Sequence, residues 1–369
     1  MDMLKSAKTY ILTAFVTALT CLFTSCDKSM FDYEGDCEVT HIVRFRYDRN
    51  LKWADAFPSE VNSVNLYVFD NAGVFVKEYI GRGEALSSPD YHIKLDLPAG
   101  DYKFVAWCGL ANEGAEEESF TVPQPVPGVT TLDELTCRLN TKTLTRADGE
   151  EAGEGEGDEA EYSDRRLYFL YHGALDVNIV DNHDGMHYEH VIYLTKNTNH
   201  VRIILQELSS DEGLNPDDYE VCIEAANGVM AYDNGLLGER VVTYRPWGQQ
   251  ADSLGLGKTD VTNGALYYVN GLVVDLSVGR MMASHKNDML LTIRDRNSRE
   301  NIIARVPIIQ YALLSREYYE MAYGHRMTDQ EFLDREDEYV LTFFLYNNRW
   351  LSASILIHAW RVVLHEYDL

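Results

Sequence analysis

Ile93-Lys94-Leu95-Asp96-Leu97-Pro98-Ala99-Gly100-Asp101-Tyr102-Lys103-Phe104-Val105-Ala106 decides the fold class. Apolar Ile93, Leu95 and Leu97 alternate with polar residues. Pro98 then fixes a corner, and Gly100 can take the positive φ that a tight loop requires. Tyr102, Phe104 and Ala106 resume the alternation on the far side. A period of two belongs to strands with one face in a core, so the stretch reads as a hairpin. Outward from it, Val43, Phe45 and Tyr47 alternate with Arg44 and Arg46. Val64, Leu66 and Val68 repeat the pattern up to the turn Asp70-Asn71-Ala72-Gly73, which leads into Val74-Phe75-Val76. Short strands punctuated by turn residues predict an all-β sandwich, not an α/β enzyme.

The rhythm resumes at Leu167. Leu194 to Leu205 reads as one strand entered through the polar corner Asn197-Thr198-Asn199. Tyr219 to Ile223 and Leu266 to Val274 are further strands, the latter with Asn270-Gly271 as a candidate hairpin tip. Leu290 to Asp295 and Ile302 to Val306 flank the turn Arg296-Asn297-Ser298. Thr328-Asp329-Gln330-Glu331 is a capping box and predicts a short helix ending near Glu336. Tyr339 to Tyr346 is a strand turned by Asn347-Asn348, and Ser352 to Leu364 reads as one long closing strand.

The start of the chain follows a different logic. Lys5 and Lys8 precede an apolar run from Ile11 to Phe23, and Thr24-Ser25 puts small residues before Cys26. That is the layout of a secretory signal, and the small pair before the cysteine resembles a bacterial lipobox with Cys26 as the lipid site. Phe23 stands where leucine is more usual. Residues 1–25 are therefore expected to be a signal peptide and 26–37 a polar tether. No later stretch is long and apolar enough to span a bilayer.

The 369 residues carry a formal charge of −27. The signal holds Asp2, Lys5 and Lys8, a net +1, which leaves −28 for the remainder. Such a body is repelled by phosphate backbones and anionic lipid, so nucleic acid is not an expected partner and membrane attachment falls to the lipid. Residues 148–164 are Glu, Gly, Asp and Ala with almost no apolar member. They cannot bury enough surface to offset ordering, so a solvated linker or loop is expected. A calcium site is the alternative, but the regular ligand spacing of an EF-hand is missing. The expected layout is a first sandwich at 38–145, an acidic linker or loop at 146–164 and a second sandwich at 165–369. Cys37, Cys108, Cys137 and Cys222 remain as buried free thiols or disulfide partners, with no zinc spacing.

Four segments in order carry a resemblance: Val43-Arg44-Phe45-Arg46-Tyr47-Asp48, Trp53-Ala54-Asp55-Ala56-Phe57, Val64-Asn65-Leu66-Tyr67-Val68-Phe69-Asp70 and Leu97-Pro98-Ala99-Gly100-Asp101-Tyr102. Together they resemble the first domain of the FimB-type fimbrial anchor family, the minor fimbrium anchoring subunits of type V pili. Leu194 to Leu205, Leu333-Asp334-Arg335-Glu336-Asp337-Glu338-Tyr339 with Phe343-Phe344, and Ile355 to Val363 extend it through the second half. His358-Ala359 departs from the Asn-Gly or Asn-Ser pair of the family. The resemblance implies two transthyretin-like β-sandwich domains in tandem, with a short helix in the second. It also implies a lipoprotein that holds fimbrial shaft subunits to the cell outer membrane through Cys26.

In that family, subunits join by inserting a C-terminal strand into a neighbour's groove. The expected contact residues are Ile355, Ile357, Trp360, Val362 and Leu364, with Ile355 and Ile357 on one face of the closing strand and the other three on the opposite face. An ordinary central strand is the competing reading, since apolar residues occupy both faces. An anchor has to keep its first strand, where pairing would shield Arg44 and Arg46 from Arg-directed cleavage.

No nucleophile elbow, phosphate cradle or metalloprotease motif is present, so no enzyme activity, cofactor or small-molecule substrate is expected. His183, His187 and His190 sit near turn residues and are read as partly exposed loop residues, with a metal site as the alternative. Tyr318-Tyr319 or Tyr267-Tyr268 would serve a glycan-binding adhesin, the second functional reading, by stacking on sugar rings. Amphipathic tyrosines at the core rim are the plainer explanation.

Overall fold

Strand β1 (Thr40–Arg46) opens the computed structural model, which describes residues 39–145, 159–181, 186–208, 214–238, 240–259, 266–297, 302–347, 349–357 and 360–365. The expected signal and tether with Cys26, Cys37, His183 and acidic residues 146–158 lie outside them. After β1 come helix α1 (Phe57–Glu60), the hairpin β2 (Ser63–Asp70) and β3 (Phe75–Arg82), β4 (Ile93–Lys94) and β5 (Gly100–Cys108). Short strands β6 (Phe120–Thr121), β7 (Thr136–Leu139), β8 (Lys142–Thr145) and β9 (Glu159–Ser163) follow. Then come β10 (Tyr171–Ile179), β11 (His187–Tyr193), β12 (Thr195–Lys196) and β13 (Asn199–Glu207).

The first sandwich sets a three-stranded sheet, β11-β1-β4, against a five-stranded sheet, β12-β10-β5-β2-β3. Val43, Phe45, Leu66, Val68, Phe104 and Ile192 fill the space between them. This pairing corrects three expectations. Residues 93–106 are not a hairpin: β4 pairs with β1 and β5 pairs with β2 and β10, so Pro98-Ala99-Gly100 carries the chain from one layer to the other. The segment from 194 to 205 is two strands, since β12 pairs with β10 and β13 belongs to another sheet. The sheets also cross the expected boundary: β10, β11 and β12, expected in the second sandwich, pair within the first.

The second half supplies β14 (Tyr219–Ala225), β15 (Val229–Ala231), β16 (Val242–Tyr244), β17 (Gly248–Thr259), β18 (Leu266–Val278), β19 (Leu290–Asp295) and β20 (Ile302–Pro307). Helices α2 (Ile308–Leu313), α3 (Arg316–Tyr323) and α4 (Asp329–Arg335) precede β21 (Glu338–Tyr346), β22 (Arg349–Ile357) and β23 (Trp360–His365). Two six-stranded sheets, β17-β18-β13-β21-β22-β23 and β20-β19-β14-β16-β9-β8, face each other across Ile203, Leu205, Val274, Val221, Ile223 and Leu291. Asn270-Gly271 turns nothing, because β18 runs through it in register with β17. The acidic stretch is flanked by β8 and β9, antiparallel neighbours in one sheet, so it connects adjacent strands and does not separate two sandwiches. The predicted helix is α4: Thr328 caps it, its hydroxyl accepting the Glu331 N–H at 3.1 Å. Helices α2 and α3 were not expected.

A fifth, small sheet, β15-β7-β6, covers the outer face of the five-stranded sheet. Phe120, Cys137, Leu139 and Met230 share a core with Tyr67, Phe69, Val105 and Trp107. Strand β2 is consequently buried on both faces, which explains why Asn65-Leu66-Tyr67-Val68-Phe69 is apolar at nearly every position. Cys108, Cys137 and Cys222 are free thiols, and burial pushes the first two far above the ordinary thiol range.

Gly109 lies at the end of β5 with φ +91°, and a Cβ there would meet the Phe169 carbonyl oxygen at 1.9 Å. Gly114 has φ +75° with nothing within 4 Å. Gly109→Ala is expected to cost at least about 3 kcal/mol in urea denaturation, against about 1 kcal/mol for Gly114→Ala, which pays only the backbone conformation. His172 is buried, with Nε2 2.8 Å from the Tyr232 carbonyl and its ring 4.6 Å from that of Trp107. Burial lowers its pKa to about 4. The neutral ring is favoured in the fold, so this stability is present above about pH 6.5 and is lost as pH falls toward 4. Between pH 7 and pH 4 the protein is expected to lose roughly 3 kcal/mol more than a His172→Asn variant.

Candidate functional site

The closing segment is a hairpin, not the single strand expected. Strand β22 pairs antiparallel with β21 on one side and with β23 on the other, and β23 is the sheet's edge. Register sets Ile355 opposite Val362, Ile357 opposite Trp360 and Ala353 opposite Leu364. Opposed residues of an antiparallel pair share a face, so Ile355, Ile357, Trp360, Val362 and Leu364 occupy register positions on one face. Residues 358–359 lie outside the described set, and the antiparallel pairing of β22 with β23 changes the phase that a continuous strand would have kept. Among the described residues β23 has a strand neighbour on one side only. Its other row of backbone N–H and C=O groups is a template for strand addition.

The edge is carried on a polar joint. The chain leaves the first sandwich at β12 and two residues later enters β13, which pairs in parallel with β21. At that crossing Lys196 has a side chain only 4% exposed. Its Nζ lies 3.2 Å from Glu60 of α1, donates to Asp337 just before β21, and sits 3.5 Å from the centre of the Phe169 ring. Tyr171 donates its hydroxyl to the same Glu60 at 2.9 Å. Burial, followed by the nearby carboxylates, raises the Tyr171 pKa and keeps the hydroxyl a donor.

Asn197 continues the joint. Its backbone N–H donates to the Leu170 carbonyl at 2.7 Å, and its side chain exchanges hydrogen bonds with Asn234 at 2.7 and 3.2 Å. Arg280 donates to Asn197 Oδ1 at 3.0 Å and pairs with Asp334 at 3.0 Å. Burial lowers the Arg280 pKa and Asp334 opposes that shift. A second strap lies nearby: Trp53 donates Nε1–H to the Tyr319 hydroxyl at 3.0 Å, with the Arg335 guanidinium 4.1 Å above its ring.

The other sequence candidates separate. His190 is on β11, its Nε2 3.0 Å from Nδ1 of His41 on β1, while His187 starts the strand. The described residues contain no group of three or more His, Cys, Asp or Glu able to hold a metal. Tyr319 is 3% exposed and serves the core, so the Tyr318-Tyr319 pair offers no stacking platform. The side chains of Tyr267 and Tyr268 are outside the described set. Sequence reasoning missed Lys196, Glu60 and Asp337. An Asn-rich corner after a lysine was the only local signal.

Layered β-sheets packed across shared apolar cores, with a buried polar joint between them, define a β-sandwich protein. Residues 33–366 match the family model for fimbrillin-A associated anchor proteins Mfa1 and Mfa2, and the chain belongs to that family. It is 25% identical over 223 residues to the minor fimbrium anchoring subunit Mfa2 of Porphyromonas gingivalis, a match covering 60% of this chain and 61% of that protein. A proposed adhesin from Bacteroides thetaiotaomicron is similar in structure, with TM-score 0.70 and 31% identity over 88% of this chain and 97% of that one. A protein proposed to bind polysaccharide, from the same organism, gives TM-score 0.69 and 28% identity over 90% and 100%. The fold also resembles the fimbrial anchor protein Mfa2 of P. gingivalis, at TM-score 0.60 and 15% identity over 89% and 99%.

Removing one partner of a buried ion pair leaves charge unmet, while exposed pairs contribute little. Lys196→Met is expected to cost roughly 2–3 kcal/mol in chemical denaturation. Lys103, whose partner Asp176 is 78% exposed, serves as control, and Lys103→Met should stay within about 1 kcal/mol of wild type.

Proposed function

We propose that this chain anchors a fimbrial polymer to the outer membrane as a lipoprotein, with Cys26 carrying the lipid and the β22–β23 hairpin adding a strand to the shaft. The outer edge of β23, which has no strand neighbour among the described residues, carries this reading: backbone groups there accept a partner strand, and Ile355, Ile357, Trp360, Val362 and Leu364 take register positions on one face. Membership of the anchor family supports the same role. So does the position of β1 between β11 and β4, with Val43 and Phe45 in the core. Arg44 pairs with Glu189 at 3.1 Å, and Arg46 lies 3.6 and 3.8 Å from Asp48 and Asp55. A strand paired on both sides with one face in the core is a poor protease substrate, so β1 stays in place as an anchor requires.

The second reading is a lipid-anchored adhesin or glycan-binding protein of the cell surface, favoured by the two Bacteroides structures. Both readings share the lipid. They part on whether fibres depend on it. In cells carrying Cys26→Ala, with export of the variant verified, fimbrial polymer is expected to move from the cells into the medium. An unchanged distribution of polymer would remove the anchor reading and leave the glycan-binding one.

A further inference from the structure

The outer face of the β20-β19-β14-β16-β9-β8 sheet holds an open groove of about 650 Å³. Its floor follows from strand alternation. Tyr219, Val221, Ile223 and Ala225 of β14 are buried in the sandwich, which turns Glu220 and Cys222 outward. Val242 and Tyr244 of β16 are likewise buried, which turns out Thr243 and Arg245. Trp247, Gln249, Asp164 and Arg296 complete the lining.

This is an unusual place in a chain with 59 acidic and 32 basic residues. The Arg245 guanidinium lies 4.5 Å from the centre of the Tyr162 ring, and the Arg166 guanidinium 5.6 Å from that of Trp247. Arg294 stands directly across from Glu220 in the β14–β19 register. Neither Arg245, Arg166, Arg294 nor Arg296 makes an ion pair among the described residues. Trp247 Nε1, and Arg294 Nε just outside the groove lining, are buried donors with no acceptor among the described residues. Buried donors without acceptors are costly, and a guanidinium laid on an aromatic ring is held in place with its N–H fork open to an oxyanion.

The geometry points to a binding site for an acidic polysaccharide, one bearing about one carboxylate per sugar. The Arg245 fork would take the carboxylate in two parallel hydrogen bonds. Glu220, Asp164 and Gln249 offer acceptors for the hydroxyls of the same ring, which an acidic peptide lacks. Those two carboxylates also disfavour polymers with denser charge. The inference rests on the glycan-binding reading for its ligand class and is independent of the anchor reading.

Purified full-length protein in detergent, at 150 mM salt (a typical ~0.15 M screening condition), would be titrated calorimetrically with an oligogalacturonate, a neutral oligoglucan and a poly-glutamate peptide. Cys222 in the groove floor provides a second readout, since Cys108 and Cys137 are buried. Site-resolved mass spectrometry after thiol alkylation would measure its protection. Its pKa, raised to about 11 chiefly by burial, calls for alkylation at pH 9 or above. Binding of the oligogalacturonate alone, protection of Cys222, and at least tenfold weaker binding by Arg245→Gln with unchanged Tm would support the site. Arg245→Lys should also weaken binding several-fold, because a lysine cannot form the fork. Oligogalacturonate binding that ignores Arg245→Gln and leaves Cys222 unprotected would overturn this groove while leaving a glycan site elsewhere. Preference for poly-glutamate or the neutral glucan, or no binding at all, would overturn the ligand class.

Discussion

Lys196 places a positive charge at the seam between the sandwiches, with almost none of its side chain in water. Water does not solvate that charge, so Glu60 from the first sandwich and Asp337 from the second have to do so. Both carboxylates reach it only when the two sandwiches are folded and correctly oriented. Buried ion pairs add little net stability, but losing one partner is expensive. The joint therefore disfavours every other arrangement of the sandwiches more than it stabilises this one. Asn197, Asn234 and Arg280 apply the same constraint with hydrogen bonds a few residues away.

From that seam a continuous set of backbone ladders runs in both directions. Toward the C-terminus it passes from β13 to β21, β22 and the free edge of β23. Toward the N-terminus it passes through β12, β10, β5 and β2, while β1 is tied in by seven parallel pairs with β11 and by the Leu194 N–H donating to the Arg46 carbonyl at 2.7 Å. In the anchor reading proposed above, a fibre bound at the β23 edge and a lipid at the other end of the chain would load the molecule along this path.

Strand content was legible because alternation at Val43-Phe45-Tyr47 and Val64-Leu66-Val68 is a local property of the chain. Which strand pairs with which is not local. Leu97-Pro98-Ala99-Gly100 carries the same corner chemistry whether the chain doubles back in one sheet or crosses between two, so the crossover was read as a hairpin. Between β22 and β23 the reverse happened: the sequence His358-Ala359 carries no turn chemistry, so an antiparallel pair was read as one strand. Helices α2 and α3 lack side-chain N-caps, and Ile308-Ile309 reads as strand. The expected domain boundary failed because acidity marks a solvated connection without saying what it connects. Glu60 and Asp337 lie 136 and 141 residues from Lys196, which no window of sequence brings together. Family likeness reached the anchor-protein family, which local chemistry could not.

The most direct test of a chain held at both ends is the N-terminus of the mature protein. Intact-mass and terminal-peptide analysis of protein taken from cell envelopes is expected to find acylated Cys26 as the first residue, with β1 whole. A mature chain beginning after Arg46 or Arg49 would contradict it, because the lipid would then be severed from the strand that ties it to the rest of the molecule.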